Sequence, residues 1–194
     1  TLAVGTKGAL RAIIRTAGIA ARSAYPERGR SATLDLVSLL AELPALDLPR
    51  DPVLGETTIN IGMLSGGVAD NVTAPSAEAR VMVRTVVDPA AMLGILERWA
   101  GDRATVEGGI AVPPVKLQTL PGFETSVVAY PTDVPVLTRW GEPYLFGPGS
   151  IHVAHTDEEH VELGELRAAV RSYVRIVHDA LSAEGERTNR SLTT

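Results

Sequence analysis

Three of the four histidines lie in the segment 152–160, directly after a Gly-Pro-Gly loop at residues 147–149. Neutral imidazole and carboxylate are ligands that suit a borderline-soft, tetrahedral zinc ion. Loops on a rigid scaffold often carry functional side chains, which favours His155 as a metal ligand. Thr156 and Glu159 also have the spacing of a capping box that starts a helix. The acidic residues here are therefore predicted to be structural, and for His155 both readings stay open.

A zinc site needs several protein ligands, and the sequence around His155 does not supply a complete set. The sequence has no cysteine, so a thiolate zinc site, a disulfide framework and a cysteine nucleophile are excluded. It also contains no His-Glu-x-x-His helix, no P-loop and no Gly-x-Ser-x-Gly elbow. A metal bound at His155 must therefore take its other ligands from elsewhere.

A second candidate set consists of Asn71 and Arg84. Asn71 follows the turn signal Gly66-Gly67, where the backbone can bend sharply and present a polar side chain. Arg84 lies in a predicted strand, and its planar guanidinium suits a bidentate grip on a carboxylate. An arginine in a strand also commonly faces solvent on the open side of a sheet, and this alternative stays open for Arg84.

The composition excludes several classes of function. A net charge of −5 and a pI near 5.4 argue against an extended phosphate-binding surface, so no nucleic-acid partner is expected. No apolar run approaches the roughly 20 residues that cross a membrane, so no membrane partner is expected. The lack of cysteine suits a reducing compartment, and we expect a cytoplasmic location. The first residue is Thr1 rather than methionine, as expected for a fragment or a processed product.

The elements that would position these residues follow from the hydrophobic pattern. Residues 8–22 alternate imperfectly and predict a strand, with a short helix as the alternative. Ser31 is predicted to cap a helix that ends at Pro44. The face of this helix that is predicted to be buried carries Leu34, Val37, Leu40 and Leu43.

Two further strands and a second helix complete a recognisable order. Alternation over residues 57–64 predicts a half-buried strand, and residues 79–87 predict another. The Asp88-Pro89 pair opens a second helix, and residues 104–107 predict a closing strand. Strand, helix, strand, strand, helix, strand is the split βαβ order of a ferredoxin-like α+β fold. On the strand at 57–64, the residues predicted to share a face are Ile59, Ile61 and Met63.

The rest of the sequence has a different character. Residues 109–122 contain glycine and proline and interrupt the periodicity, so they predict a connector between domains. A short helix at 132–140 and a short buried strand at 143–146 are predicted next. A long final helix follows, and residues 184–194 predict a disordered polar tail. The predicted apolar stripe of the final helix is Leu166, Val170, Tyr173, Val174, Val177 and Leu181.

Short matches to a known family occur in order along the chain, as far as about residue 183. They are Lys7-Gly8, Ser23 to Glu27, Gly29, Ser31-Ala32, Thr57 to Gly62, Gly66-Gly67, Asn71-Val72, Arg84, Thr132-Asp133, Gly147 to Gly149, Ala154 to Thr156 and Glu158-Glu159. At these residues the sequence resembles the zinc metallopeptidase and amidohydrolase family that includes acetylornithine deacetylase, succinyl-diaminopimelate desuccinylase, aminoacylase and carboxypeptidase G.

The resemblance implies a zinc-peptidase-like α/β catalytic domain interrupted by a ferredoxin-like βαββαβ lid, through which subunits form a homodimer. On that basis residues 1–7 end a preceding catalytic segment, and residues 8–108 form the lid and dimerisation domain. Residues 123–183 form a C-terminal α/β segment of the catalytic domain. The first half of that domain would precede Thr1.

The resemblance also implies roles for the candidate residues. The full enzyme would hold two zinc or cobalt ions, with His155 as one ligand. Asn71 and Arg84 match lid residues that hold the substrate's carbonyl or carboxylate, and Gly147 and Gly149 match a loop that lines the pocket. The other ligands and the catalytic glutamate would precede this chain, so we expect the chain alone to be inactive.

Residue 22 departs from the family pattern. Family members usually read Ala-His-Ser before the Tyr-Pro pair, and the resemblance implies that this lid histidine stabilises the tetrahedral oxyanion in the partner's active site. Arg22 stands at this position, and we treat it as the corresponding catalytic candidate. A guanidinium can stabilise negative charge, but it cannot act as an acid near neutral pH.

Two functions from different classes follow. The first is a portion of a metal-dependent hydrolase that cleaves the amide bond of N-acyl amino acids or small peptides. The alternative is a non-catalytic dimerisation or small-molecule-binding module derived from such an enzyme. Arg22 and the expected position of the other metal ligands before Thr1 both favour the alternative.

Overall fold

The computed structural model describes residues 1–191, and it describes the side chains of residues 1–182. The chain divides into two compact units. The larger unit consists of Gly5–Lys116 and Val127–Gly141. The smaller unit consists of Thr1–Val4, Leu117–Ser126 and the residues from Glu142 onward. No helix in the described part of the chain is long and apolar enough to cross a membrane.

The predicted ferredoxin-like α+β fold is confirmed in the larger unit. After β1 (Leu2–Thr6), the chain forms β2 (Ala9–Ala17), α1 (Ala32–Leu40), the short strands β3 (Arg50–Asp51) and β4 (Gly55–Glu56), β5 (Thr58–Gly66), β6 (Ser76–Arg84), α2 (Pro89–Ala100) and β7 (Thr105–Val112). The antiparallel four-stranded sheet has the order β5-β6-β2-β7. This is the strand order of a split βαβ fold, and both helices pack against the sheet.

Period-two alternation explains why residues 8–22 contain a strand rather than the alternative helix. In β2, Leu10, Ala12 and Ile14 are buried, whereas Arg11 between them is exposed. In β6, Val81 and Val83 continue the same buried face, which α1 and α2 cover. Side chains of successive strand residues point to opposite faces, so this pattern can bury one face only as a strand.

The starts of both helices were predicted correctly. The Ser31 hydroxyl accepts a hydrogen bond from the N–H of Leu34 at 3.4 Å, and the Asp88 carboxylate accepts one from the N–H of Ala90 at 2.8 Å. Each side chain satisfies one of the helix-terminal N–H groups that lack a partner within the helix.

The predicted buried face of α1 was wrong for two of its four residues. Leu34 and Val37 are 69% and 51% exposed, although Leu40 and Leu43 are buried as predicted. The stripe that contacts the sheet also includes Ala32, Leu36 and Leu39. Two apolar stripes run along this helix, and the sequence alone does not decide which of them faces the sheet.

A bulge in β5 overturns the predicted common face of Ile59, Ile61 and Met63. Ile61 lies opposite Val81 on the buried face, but the register then shifts and Met63 lies opposite Arg80 on the open face. Because β5 is an edge strand, Ile61 and Met63 are 42% and 60% exposed.

The smaller unit has a small buried cluster of Leu2, Leu120 and Ile176, against which Phe146 packs. Its longest element is α3 (Leu163–Ser191). The predicted helix is present, but its predicted apolar stripe is exposed, with Val170 at 63% and Val174 at 67%. Among the α3 residues whose side chains the structure describes, Ala169 and Ile176 are buried instead.

Three shorter predictions also differ from the structure. The predicted helix at 132–140 is a single 3-10 turn, Val134–Val136, which contains Pro135 and follows Pro131. The predicted strand at 143–146 forms only an isolated bridge between Leu2 and Phe146. α3 continues to Ser191, so the predicted disordered tail is helical to that residue, and residues 192–194 lie outside the described part.

A hairpin of residues 50–56 contacts two segments near the boundaries of the larger unit, one at Lys7 and the other at Lys116. The Nζ of Lys7 donates to the carbonyl oxygen of Glu56 at 2.6 Å, and the Nζ of Lys116 lies 2.7 Å from the carboxylate of Asp51. Asp51 also accepts hydrogen bonds from the N–H groups of Val53 and Leu54. Lys116 and these N–H groups lower the pKa of Asp51 to about 2.

Asp51→Asn should lower the stability of the larger unit near neutral pH, because it removes the charge that pairs with Lys116. The folded pKa of Asp51, about 2, lies below the ordinary value of 3.8. The carboxylate's contribution is therefore present above 3.8 and is lost as the pH falls from there through about 2. Urea-unfolding midpoints of the two proteins should accordingly differ near neutral pH and converge in acid.

Glu56→Gln is the matched control, because the carbonyl that Lys7 contacts is retained and its side chain only approaches Arg50 at 3.7 Å. This variant should follow the wild-type curve. Equal midpoints for wild type and Asp51→Asn at every pH would show that the ion pair contributes nothing.

Candidate functional site

Arg22 and Asn71 lie together at one end of the four-stranded sheet. β2 ends at Ala17, and the chain runs on in an exposed segment until Arg22 forms an antiparallel bridge with Val72. The N–H of Ser23 donates to the carbonyl of Asn71 at 3.0 Å, next to this bridge. Backbone hydrogen bonds therefore place residue 22 and residue 71 side by side.

The side chains of Arg22 and Asn71 are both exposed. Within the part of the chain that the structure describes, neither side chain has a hydrogen bond or an ion pair with another residue. Arg22 thus does not fold back onto an acidic residue of its own unit. Both groups are free to contact a ligand or another protein chain.

A groove of about 880 Å³ lies beside this pair. One wall comes from the segment Ser23 to Leu34 and the other from the turn Gly66 to Ala74. Gly67 adopts a φ of 79°, and a Cβ on Gly66 would lie 2.6 Å from the Cβ of Ala77. The double glycine therefore allows the close turn that brings Asn71 back beside Arg22.

Arg84 lies at the opposite end of the same sheet. It is the last residue of β6 and pairs with Thr58, while the next residue, Thr85, exchanges hydrogen bonds with Gly8 at 2.8 and 3.2 Å. Ser76 to Arg84 spans about 26 Å of extended strand. Asn71 precedes that strand, so one copy of the chain does not bring Asn71 and Arg84 together.

His155 occupies a strained turn in the smaller unit. Its φ is 63°, the sole positive φ of a non-glycine residue in the described chain. Its backbone N–H donates to the carboxylate of Glu159 at 2.8 Å, and the Thr156 hydroxyl donates to the carbonyl of Val153 at 2.7 Å. The predicted capping box does not start a helix, because α3 begins only at Leu163. Glu159 instead stabilises the turn that presents His155.

The glycine loop has a carboxylate partner that the sequence pattern did not reveal. The N–H of Gly149 donates to Glu165 in the first turn of α3 at 3.0 Å. Gly149 has a φ of 85°, and a Cβ there would lie 2.7 Å from Val161. Gly147 has open space around its Cα, and its φ is not in the left-handed region.

The smaller unit can offer a metal ion the imidazole of His155. The His155 imidazole is exposed and has no hydrogen-bond partner among the described side chains. His160 is engaged differently, with its Nδ1 2.6 Å from the carbonyl oxygen of Glu158. No group of three or more histidine or acidic residues that could hold a metal occurs in the described residues. His152 is also exposed, and its imidazole has no hydrogen-bond partner among the described side chains. One or two imidazoles leave the other positions of a metal site open.

Comparison with known proteins gives a consistent result. A family model for the M20 peptidases, described as a peptidase dimerisation domain, matches residues 4–105. An M20 peptidase domain-containing protein of Sordaria macrospora is 38% identical over 192 residues, which cover 94% of this chain and 42% of that protein. A probable carboxypeptidase of Paracoccidioides brasiliensis is 36% identical over 206 residues, covering 93% of this chain and 47% of that protein. The chain thus spans about half the length of the curated relatives it matches.

Solved structures share the fold at lower sequence identity. The aminopeptidase PepT of Bacillus cereus aligns with a TM-score of 0.62 at 21% identity, covering 86% of this chain and 50% of that chain. A hydantoinase/carbamoylase family amidase of Burkholderia ambifaria aligns with a TM-score of 0.52 at 16% identity, covering 68% of this chain and 38% of that chain.

Gly149→Ala should destabilise the loop before His155, because alanine in a left-handed conformation costs about 1–2 kcal/mol. The new methyl group would also contact Val161, 2.7 Å away. Gly147→Ala is the control two residues earlier, and it should leave stability nearly unchanged. Thermal unfolding and hydrogen exchange at residue 149 would measure the difference, and equal effects of the two changes would contradict this account.

Proposed function

Because the chain belongs to the M20 peptidase family, we propose that it supplies the lid and part of the catalytic domain of a metal-dependent hydrolase. The proposed reaction is cleavage of the amide bond in N-acyl amino acids or small peptides. The main support for the proposal is the match of a peptidase dimerisation domain to residues 4–105. The proposed lid also has unpaired polar side chains at both ends of its sheet. The naming of one relative as a probable carboxypeptidase supports the hydrolase class.

The metal chemistry of the proposed enzyme involves His155. Its imidazole would be one ligand of a pair of zinc or cobalt ions, and such ions lower the pKa of a bound water so that it can attack a carbonyl. Glu159 holds the backbone of His155 in the turn, which leaves the ring free to bind. The remaining ligands and the general base would come from residues outside these 194, so we propose that the chain alone is inactive.

The proposed substrate contacts come from both ends of the lid. Arg84 would hold a carboxylate of the substrate through its guanidinium fork. Asn71 would donate an amide hydrogen bond to the carbonyl, and Arg22 would stabilise the oxyanion. Gly147 and Gly149 would line the pocket, and their small size leaves room for a substrate.

The distance between the two ends of the lid implies that two copies cooperate. Arg84 lies about 26 Å along β6 from the end that carries Arg22 and Asn71. A small substrate held by Arg84 of one subunit therefore has to receive Arg22 and Asn71 from the other subunit. A homodimer formed through the lid meets this requirement.

The edge strand β5 and the outer side of α1 provide a surface for such a homodimer. Leu34 and Val37 of α1 are 69% and 51% exposed, and Ile61 and Leu64 of β5 are 42% and 54% exposed. An unpaired strand edge beside exposed apolar groups readily pairs with a second copy. We propose that the two sheets join there in an antiparallel manner.

The rival function is a non-catalytic dimerisation or small-molecule-binding module. Arg22 favours it, because arginine cannot transfer a proton as the family's histidine could. The exposed, unpaired guanidinium also suits anion binding without catalysis. Activity of the full-length protein distinguishes the two functions.

The chain should be a dimer by light scattering at about tens of micromolar, as expected for a standard-size interface. Ile61→Lys should shift it to a monomer, because a lysine at the edge blocks strand pairing. The control is Ile110→Lys on β7, the other edge strand, where Ile110 is 66% exposed. A monomeric wild type, or disruption by Ile110→Lys alone, would count against the proposed interface.

In the full-length protein, His155→Ala should abolish hydrolysis of N-acyl amino acids and reduce bound zinc, measured by elemental analysis. His152→Ala, an exposed histidine three residues earlier, should leave both unchanged. Loss of activity from both variants alike, or zinc content independent of His155, would refute the assigned ligand.

Arg22→His in the same protein tests the catalytic role of the lid. If arginine substitutes poorly for histidine, the rate constant should rise by about a hundredfold, the usual effect of one oxyanion donor, with unchanged zinc. A wild type and an Arg22→His variant that both lack hydrolase activity while retaining full metal content would favour the non-catalytic module.

A further inference from the structure

The open face of the four-stranded sheet carries four arginines. Arg11 and Arg15 of β2 alternate with the buried Leu10, Ala12 and Ile14, so they point away from the helices. Arg80 and Arg84 of β6 alternate in the same way with Val81 and Val83. The strand period thus places all four guanidinium groups on the face that α1 and α2 do not cover.

Two of these arginines are neutralised by carboxylates. Arg15 lies 2.8 Å from Glu78 and 2.5 Å from Glu107, and Arg80 lies 2.9 Å from Glu78. Arg80 and Arg15 lower the pKa of Glu78, so this carboxylate stays charged beside them. The charges in this half of the open face are therefore paired. Arg15 and Arg80 form ion pairs with carboxylates of the sheet and are not available to bind a ligand.

The other half of the open face has cations without carboxylates. Arg11 lies opposite Met82, and Arg84 lies opposite Thr58. On the other side of Arg11 lies Gly109 of β7, which has no side chain. A Cβ added to Gly109 would lie 3.7 Å from the Cβ of Arg11, so the two residues are direct neighbours. Among the described side chains, neither Arg11 nor Arg84 forms an ion pair. We call Arg11, Thr58, Asn60 and Arg84, which surround Met82, the cationic patch.

We propose that the cationic patch binds a dicarboxylate, with one carboxylate on Arg84 and the second on Arg11. The inference rests on the proposed function for Arg84 and extends it to a substrate class, namely N-acyl amino acids or peptides that end in an acidic residue. Arg11 is the residue that would determine this specificity.

The register gives a spacing that suits two carboxylates on one molecule. Arg11 is opposite Met82, so Arg84 is its diagonal neighbour on the same face, with Cβ atoms about 7–8 Å apart. Two flexible guanidinium arms from these positions can each form a bidentate pair with a separate carboxylate of a short-chain dicarboxylate. The hydroxyl of Thr58 and the amide of Asn60 add donors at the edge of the patch.

The charge distribution favours a small dianion over a polyanion. Two unpaired like charges on one face repel each other, and a dianion bound between them removes that repulsion. The chain as a whole carries a net charge of −5, which opposes accumulation of a nucleic acid or another polyanion. A dicarboxylate amino acid is therefore the ligand that matches the local charge without needing an extended basic surface.

The test is a titration of the chain with glutarate and, separately, with acetate at constant ionic strength, followed by NMR of the arginine Nε–H groups. Glutarate should shift the signals of Arg11 and Arg84 together and should bind about tenfold more tightly than acetate, because it makes a second charge-assisted pair. Arg11→Gln should reduce glutarate binding to the level of acetate. Arg15→Gln, on the same face but already paired, should leave glutarate binding unchanged.

Equal affinities for glutarate and acetate, or equal losses in Arg11→Gln and Arg15→Gln, would overturn the proposal. The titration needs neither metal nor activity. Dicarboxylate binding by the chain, together with a full-length protein that lacks hydrolase activity, would therefore retain the patch and refute the proposed function. Conversely, the full-length protein could hydrolyse N-acetylalanine and N-acetylglutamate equally well, with a ratio of rates that Arg11→Gln does not alter. That result would support the hydrolase function and refute the proposed substrate specificity of the cationic patch.

Discussion

The antiparallel pairing of β2 with β6 is the constraint on which the rest of the larger unit depends. Eight successive residue pairs, from Leu10 with Val83 to Ala17 with Ser76, run without a shift in register. Since side chains alternate between faces along each strand, this pairing decides which residues form the core and which remain on the open face. A slip of one residue in β2 would bury its two arginines, Arg11 and Arg15, and expose its apolar side chains that α1 and α2 cover. The burial energy of the core therefore also fixes the position of the charged groups.

The same pairing separates the candidate groups along the sheet. At one end, hydrogen bonds between Gly8 and Thr85 close the ladder beside Arg84. At the other end, the bridge between Arg22 and Val72 extends the contact of the two segments past the end of β2. The ladder is rigid because its N–H and C=O groups are paired, so neither end can approach the other by bending. The geometry of any reaction that uses both ends is thereby set by how two copies associate, and not by motion within one copy.

The sequence predicted the order of elements, the two helix caps and the ferredoxin-like fold, because these depend on local periodicity and on short-range hydrogen bonds.

Prediction from the sequence failed where one local pattern is compatible with two structures. α1 carries two apolar stripes, and the sheet selects the one that contains Leu36 and Leu39. In β5, a bulge at Gly62 moves Met63 to the open face, and the prediction did not use the signal that a glycine inside a strand pattern gives for a bulge. The roles of Glu159 and Glu165 were missed because each accepts from a backbone N–H in a preceding loop, Glu159 four residues and Glu165 sixteen residues away. The pairing of Arg15 with Glu78 and Glu107, which leaves Arg11 free, depends on the strand register. It could not be predicted because the sequence does not reveal that register.

The environment of residue 22 indicates which forces determine its identity. Arg22 is exposed, and its side chain has no partner within the described residues. Its backbone is held by the bridge to Val72 and by a hydrogen bond from the N–H of Tyr25 to its carbonyl oxygen at 2.9 Å. Histidine could occupy the same backbone position without loss of packing or of a hydrogen bond. Folding of the larger unit therefore does not discriminate between the two residues, and the difference between them lies in their chemistry. A guanidinium remains charged and offers several donors at any physiological pH, whereas an imidazole can both donate and release a proton. An arginine at this position can stabilise an oxyanion by charge alone, so any hydrolysis that uses Arg22 has to take its proton transfers from other groups.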